Sequence, residues 1–319
     1  MISTIATTLI PVTFVLLLGY IAGRRKYFGT ADRARLIKLV LTWLLPPLLI
    51  AGMLKTPRAE LLDYRIPLLF ALGLLLPYLV VLLATRFVVK QDLSTSTLRT
   101  ALQIFPDMVF MGIPVLGQLF GPASLYPILI ANLIPVLFIQ PMTIVLLKID
   151  SDKAQGGHQG GGAKAAGKVA LKGLAQPRVW LPFIGIALVL LNVQVPKFVL
   201  SSLNLIGAGT TGLALLVSGI IISQEKVTLT RAIVVNTFIK NLLCPAIMLA
   251  IVLALGITGV LAKEAVLLVG LPSAVITTMF AGERGMLEAE SATMILSTRV
   301  FSFISIPIVI AVTNYLLTR

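Results

Sequence analysis

The chain has 319 residues, of which 58% are hydrophobic and 12% are charged, with a formal net charge of +14. Its mean hydropathy is +1.02. This composition excludes a soluble globular domain and predicts an all-α polytopic membrane protein. The basic residues lie in short segments beside apolar runs, which favours the positive-inside bias over nucleic-acid binding. Since the chain has one histidine and one cysteine, we expect no metal centre, no hydrolytic triad, no cofactor and no enzymatic activity.

Apolar runs of about 20 residues, enough to cross roughly 30 Å of hydrocarbon, recur along the whole chain. We predict ten membrane spans. They are residues 3–22, 36–54, 66–89, 98–118, 123–147, 179–195, 203–223, 231–256, 263–281 and 289–317.

Two of these spans contain closely spaced small residues. Gly19 and Gly23 are four residues apart near the end of the first span, and the seventh contains the sequence GAGTTG from Gly207 to Gly212. No strand precedes this second motif, so it does not indicate a dinucleotide-binding loop. We expect both motifs to allow close helix packing.

Prolines recur at matching positions in the two halves. Pro106 and Pro272 are 166 residues apart, and so are Pro141 and Pro307. Five spans per half is an odd number, so the second copy must enter the membrane from the opposite side. The spacing therefore predicts two inverted repeats.

The predicted repeats comprise residues 1–148 and 178–319, joined by a polar, glycine-rich flexible linker at 149–177. If both termini lie outside, eighteen of the 26 Lys and Arg residues fall on the cytoplasmic side. This asymmetry predicts an inner-membrane protein with outside termini and a cytoplasmic linker.

Two spans contain helix-breaking residues at equivalent places. Pro106, Gly112 and Pro114 interrupt the fourth span, and Pro272 interrupts the ninth. A broken span leaves backbone dipoles free at mid-membrane, where they can hold an ion. We predict that these segments cross and form a binding site.

Three charged residues are predicted near the membrane midplane. Asp107, Lys240 and Arg299 lie eight to ten residues from the inner ends of their spans, roughly 12 to 15 Å deep at helical rise. Asn132 reaches a similar level on the fifth span. Each charge costs about 2.5 to 3.5 kcal/mol to insert, so these side chains should face one another or a ligand. One interpretation is anion recognition by Arg299; the other is that the cations snorkel and Asp107 pairs with one of them.

Three segments carry a family resemblance. They are FMGIPVLGQLFG (Phe110–Gly121), FIKNLLCPAIM (Phe238–Met248) and the segment from Leu271 to Pro307. The resemblance is to the auxin efflux carrier family, whose bacterial members include proteins labelled malonate transporters. It implies ten helices in inverted repeats, with spans four and nine broken at Pro106 and Pro272. Spans one, two, six and seven would form a scaffold and a homodimer contact, and the remaining spans would form a moving unit.

The resemblance also implies that carboxylates bind beside the crossing with polar help from spans five and eight. Asn132, Lys240 and Asn241 occupy such positions, and Thr298 and Ser273 complete the candidate site. Asp107 stands where the family usually has Asn. Arg299 stands where it usually has an apolar or hydroxyl residue.

We therefore predict a secondary active transporter of small organic anions, in particular dicarboxylates such as malonate, working by alternating access in the lipid bilayer. Proton coupling through Asp107, or sodium coupling, is compatible with this prediction. The alternatives are an auxin-like monocarboxylate efflux carrier, a channel, and a non-transporting membrane receptor subunit.

Overall fold

The structure is a computed structural model that describes residues 2–154, 177–224 and 230–317, together with Gly167, Leu171 and Ala175. Within these residues the regular secondary structure is helical, and one isolated antiparallel bridge joins Pro106 to Ser273. Helices satisfy their backbone groups internally, as a membrane requires. The prediction of an all-α fold is confirmed.

Nine α-helices lie within the described residues 2–154. They are α1 (Ile2–Arg24), α2 (Thr30–Leu39), α3 (Leu45–Met53), α4 (Arg58–Leu61), α5 (Arg65–Leu83), α6 (Leu93–Ile104), α7 (Ile113–Phe120), α8 (Leu125–Ile134) and α9 (Gln140–Ala154).

Seven more α-helices lie within the described residues 177–224 and 230–317. They are α10 (Pro177–Leu190), α11 (Lys197–Gln224), α12 (Arg231–Phe238), α13 (Cys244–Ala254), α14 (Gly259–Val269), α15 (Ile276–Arg284) and α16 (Glu288–Leu316).

Six helical segments are long and apolar enough to cross a membrane, which establishes a multi-pass protein. They are Ala31–Met53, Arg65–Val88, Pro122–Ser151, Lys197–Gln224, Arg231–Ala254 and Glu288–Leu316. Shorter apolar helices occupy Ile10–Arg24, Met108–Phe120 and Val179–Leu190. Helical residues are present at all ten predicted span positions, and two of these positions are interrupted by non-helical backbone.

Four π-helical segments end two residues before a proline. They are Val40–Leu44, Met108–Gly112, Pro135–Ile139 and Ile239–Leu243, followed by Pro46, Pro114, Pro141 and Pro245. A proline inside a helix lacks an N–H donor and its ring clashes with the carbonyl four residues earlier. A wider π turn at that point lets the helix continue through the proline.

This local geometry corrects one prediction. Gly112 and Pro114 do not break their helix, because the π turn Met108–Gly112 runs directly into α7, with Gly112 in the right-handed helical conformation. The interruption in this predicted span is confined to Phe105, Pro106 and Asp107.

The chain forms two compact units, and each draws on both halves of the sequence. Unit 1 contains residues 1–66, 108–130 and 175–225, and unit 2 contains residues 67–107, 131–174 and 226–319. Unit 1 thus holds the first, second, sixth and seventh predicted spans. Its boundary with unit 2 falls at the interruption of the fourth.

Unit 1 is built on the packing of α1 against α11 and of α3 against α10 and α11. The backbones of α1 and α11 come close together at Gly19 and Gly219. A Cβ added to Gly19 would collide with the Leu216 carbonyl oxygen, and one added to Gly219 with the Leu16 carbonyl oxygen. Gly207 likewise lies against the backbone of Leu48. The predicted role of small residues in packing is confirmed at Gly19 and Gly207.

Unit 2 packs α13 against α14, and α16 against α12, α14 and α15. At its edge, Arg99 of α6 donates two hydrogen bonds to Glu290 of α16, at 2.7 and 2.8 Å. Asp150 accepts hydrogen bonds from the backbone and hydroxyl of Ser94, at 3.2 and 2.6 Å. Helix α9 extends through Ala154, six residues into the predicted linker. Most of the rest of that linker lies outside the described residues.

The glycine contacts of α11 generate a prediction about stability. We expect Gly219→Ala to lower the free energy of unfolding by about 1 to 3 kcal/mol, since the new methyl group meets backbone that cannot rotate away. The same substitution at Gly212, where no atom lies within 4 Å of the added Cβ, should be neutral or stabilising by up to about 1 kcal/mol because alanine favours the helix. Thermal unfolding in detergent measures both, and equal effects would contradict the packing described for α1 and α11.

Candidate functional site

Two interrupted helices meet in unit 2 through a short antiparallel backbone contact. The Asp107 N–H donates to the Pro272 carbonyl at 2.8 Å, and the Ala274 N–H donates to the Phe105 carbonyl at 2.9 Å. Pro106 and Pro272 both lie in the non-helical segments, where their missing N–H groups remove no helical hydrogen bond. We call this contact, formed by residues 105–107 and 270–275, the crossing.

The carbonyl groups at the end of α6 find partners on other elements. The Ser273 hydroxyl donates to the Leu102 carbonyl at 2.6 Å, and the Cys244 thiol lies 3.9 Å from the Gln103 carbonyl. Lys240 Nζ lies 3.5 Å from the Ile104 carbonyl. The last turn of a helix lacks internal donors for its carbonyls, so these side chains supply them.

Asp107 and Arg299 form an ion pair in the interior of unit 2. Arg299 Nη2 donates to Asp107 Oδ2 at 2.5 Å, and the two side chains are 0% and 4% exposed. The Arg299 side chain lies on α16 and does not reach the surface, so it does not snorkel. Two of its nitrogens, Nε and Nη1, are buried without a hydrogen-bond partner among the described residues. A buried guanidinium with unused donors is suited to receive an anion.

Lys240 and Asn241 are both fully buried on the π turn Ile239–Leu243. Lys240 Nζ donates to the Val269 carbonyl at 2.9 Å, at the end of α14. Asn241 Nδ2 donates to two residues of α16, to the Thr298 carbonyl at 2.9 Å and to the Ser305 hydroxyl at 3.1 Å. These adjacent polar residues therefore join the π turn to α14 and to α16.

Ser273 and Thr298 hold the crossing against α16. The Ser273 N–H donates to the Thr298 hydroxyl at 3.1 Å, and that hydroxyl donates to the Met294 carbonyl at 2.8 Å. Both residues are fully buried. Their hydroxyl protons are thus committed to backbone carbonyls, which makes them positioning residues. Their predicted contact with substrate stays a prediction.

Two predicted site residues are not joined to this cluster by hydrogen bonds among the described residues. Asn132 is half-buried on α8, and no hydrogen bond or ion pair among the described residues joins it to Asp107, Lys240 or Arg299. Pro114 belongs to unit 1, where it lines a cavity of about 190 Å³ together with Leu48 and Thr211.

The sequence analysis missed two polar contacts near the crossing. Gln103 Nε2 donates to Asn236 Oδ1 at 2.7 Å, and the Thr237 and Ser297 hydroxyls are 2.8 Å apart. Asn236 stands four residues before Lys240, on the same helical face. Helical spacing from Lys240 is the signal that could have found Asn236.

Comparison with known proteins identifies relatives along nearly the whole chain. The profile of the family described as "Membrane transport protein" matches residues 4–310. The uncharacterized transporter YfdV of Escherichia coli (strain K12) is 24% identical over 267 residues, which are 83% of this chain and 84% of that protein. The YfdV proteins of Escherichia coli O157:H7 and Shigella flexneri match with the same identity and coverage.

The match extends over both units, and so includes the crossing with Asp107 and the helical segments that carry Lys240 and Arg299. It agrees with the resemblance found in the sequence. The chain therefore belongs to the membrane transport protein family, that of the auxin efflux carriers, and is a membrane transporter and not an enzyme.

Proposed function

We propose that this protein is a secondary active transporter of small organic dicarboxylates, of which malonate is the simplest candidate. The observation that carries the proposal is the Arg299 guanidinium, which is fully buried and whose Nε and Nη1 donors have no partner among the described residues beside its ion pair with Asp107. One edge of the guanidinium presents Nε and Nη2, and the other edge presents Nη1 and Nη2. A substrate carboxylate bound along either edge would therefore compete with Asp107 for Nη2 while gaining a free donor.

Charge supports an anionic substrate. Among the described residues, the ionisable side chains that hydrogen-bond at the crossing are Asp107, Arg299 and Lys240. Lys240 lies against the end carbonyls of α6 and α14, so the charge of Arg299 is the one that Asp107 compensates. Because burying uncompensated charge costs several kcal/mol, protonation of Asp107 leaves Arg299 to be compensated by a substrate carboxylate. This arrangement favours entry of one proton with each substrate molecule.

The proposed mechanism is alternating access about the crossing, in a fold of ten spans and two inverted repeats at residues 1–148 and 178–319. The two interruptions support the repeat, since α6 and α14 end 165 residues apart, at Ile104 and Val269. The distribution of basic residues supports outside termini and a cytoplasmic linker at 149–177. Unit 2 holds the crossing, and we propose that it is the moving part.

The experiment that tests the function is exchange of labelled malonate in proteoliposomes, with protein-free liposomes as the control. A thermal-unfolding screen of mono- and dicarboxylates precedes it, because a ligand that binds the folded state raises the unfolding midpoint. We expect dicarboxylates of three or four carbons to stabilise the protein and to exchange. A response confined to monocarboxylates would favour the auxin-like alternative and contradict the proposal.

Arg299→Gln should raise the apparent dissociation constant for malonate by about tenfold to about a hundredfold, since it removes a charged hydrogen bond of about 1.5 to 3 kcal/mol. Arg299→Lys should restore only part of the affinity, because an ammonium lacks the planar fork. Titration by thermal shift or calorimetry measures the constants. The matched control is Arg65→Gln, which also removes an aspartate-paired arginine, but from an exposed pair with Asp63.

The competing account is that Arg299 only neutralises Asp107. It predicts that the double variant Asp107→Asn with Arg299→Gln regains the transport lost in each single variant. Full recovery in this double-mutant cycle would remove Arg299 from substrate recognition.

Asp107→Asn should leave the protein folded and should flatten the pH dependence of malonate transport. In the wild type we expect transport to rise as pH falls, because protonation of Asp107 frees Arg299 and adds positive charge to the site. The asparagine side chain does not titrate. The transport rate of this variant should therefore vary little with pH, after correction for the ionisation of malonate itself. Initial rates in proteoliposomes over a pH series measure this, and a profile identical to that of the wild type would exclude Asp107 as the proton carrier.

A further inference from the structure

Lys240 places its side-chain ammonium where two interrupted helices end. Ile104 is the last residue of α6 and Val269 is the last residue of α14. Their carbonyl oxygens lie 3.5 and 2.9 Å from Lys240 Nζ, which is fully buried. The ammonium therefore lies between the negative ends of two helices.

The charges at this point balance. Each helix C-terminus carries about half a negative elementary charge, so the two ends together carry about one, which matches a single ammonium ion. The other end carbonyls of α6 accept hydrogen bonds from neutral groups, the Ser273 hydroxyl and the Cys244 thiol. Among the described residues, the charged donor to these end carbonyls is Lys240, at the point shared by both helices.

In secondary transporters with interrupted helices, unwound carbonyls and helix C-termini of this kind coordinate the coupling cation. We propose that Lys240 is a tethered replacement for that cation, so that this protein transports its substrate without an inorganic cation at the crossing. The proposal rests on the proposed function in one respect, that the crossing is a transport site. The sequence is compatible with coupling to protons or to sodium, and this proposal excludes sodium.

The proposal has a second consequence, which does not involve transport. A small neutral residue in place of Lys240 leaves the Ile104 and Val269 carbonyls facing each other across the space of the lost side chain. Such a pair of helix ends is a site for a monovalent cation. A Lys240→Ala variant should therefore gain a sodium response that the wild type lacks.

The test is thermal unfolding of the purified protein in detergent, in sodium, lithium, potassium or choline chloride at equal ionic strength. Wild-type midpoints should agree across the four salts. Lys240→Ala should unfold about 5 °C or more below the wild type in choline chloride. A small cation should recover at least about half of that loss, in a saturable manner.

Lys263→Ala is the matched control, because Lys263 also donates to a neutral oxygen, Asn314 Oδ1 at 2.7 Å, but away from the crossing. Its midpoint should be the same in all four salts. If Lys240→Ala is folded by circular dichroism and its midpoint is equally low in sodium and choline, the cation site does not exist and the proposal is wrong.

A second measurement uses only the wild type and so does not depend on whether the variant folds. Malonate exchange should proceed at the same rate in sodium-free choline buffer as in sodium buffer. A tenfold loss on removal of sodium, or a wild-type midpoint that rises saturably with sodium, overturns the proposal. Absence of malonate exchange in every buffer would contradict the proposed function alone, since the salt series on unfolding uses no substrate.

Discussion

The antiparallel contact between residues 105–107 and 270–275 is the constraint on which the rest of unit 2 depends. Two helices stop inside the protein, and each stop leaves donors and acceptors without helical partners. At hydrocarbon depth each unsatisfied group costs several kcal/mol. The two backbone hydrogen bonds of the crossing satisfy four of these groups by pairing the two interruptions with each other. This mutual pairing is a physical reason for two interruptions in one chain.

The remaining carbonyls explain why so many polar side chains surround the crossing. Ser273, Cys244 and Lys240 each provide a donor for a carbonyl at the end of α6 or α14. Thr298 supplies the acceptor for the Ser273 N–H. Polar residues inside a membrane protein are therefore not all candidates for substrate contact. The one with unused, buried donors among the described residues of this group is Arg299.

The sequence allowed the helical class, the positions of the apolar helices, the two interruptions and the charged residues around them to be predicted. These features follow from composition and from single residues such as Pro106, Pro272 and Asp107. Gly112 and Pro114 were wrongly predicted as breaks, because the tendency of proline to disrupt a helix was applied without the π turn that relieves it. The pairing of Asp107 with Arg299, 192 residues apart, was left as one of two combinations, the other being Asp107 with Lys240. Long-range pairing depends on how the helices pack, which local pattern does not encode.

The family resemblance suggested a partition in which spans four and five lie wholly in the moving unit, whereas residues 108–130 of these spans belong to unit 1. Contacts group the helices across the halves of the chain, so that unit 1 and unit 2 each contain parts of both predicted repeats. In an inverted repeat, equivalent helices of the two copies take equivalent places, and each unit can be assembled from matching parts. The boundary of unit 2 at Asp107 leaves the Asp107–Arg299 pair and Lys240 within one unit. Whatever motion unit 2 makes as a body, these charges keep their mutual distances.

On the proposed function, a transporter must move its site both loaded and empty through a region of low dielectric constant. Uncompensated charge is costly in either state. In the empty state, ionised Asp107 compensates Arg299, and Lys240 is compensated by two helix ends. In the loaded state the substrate carboxylate takes the position on Arg299 that Asp107 held, and a proton removes the charge of Asp107. The aspartate thus acts as an internal substitute for the substrate. Exchange between the two would couple proton binding to substrate binding without any other moving charge.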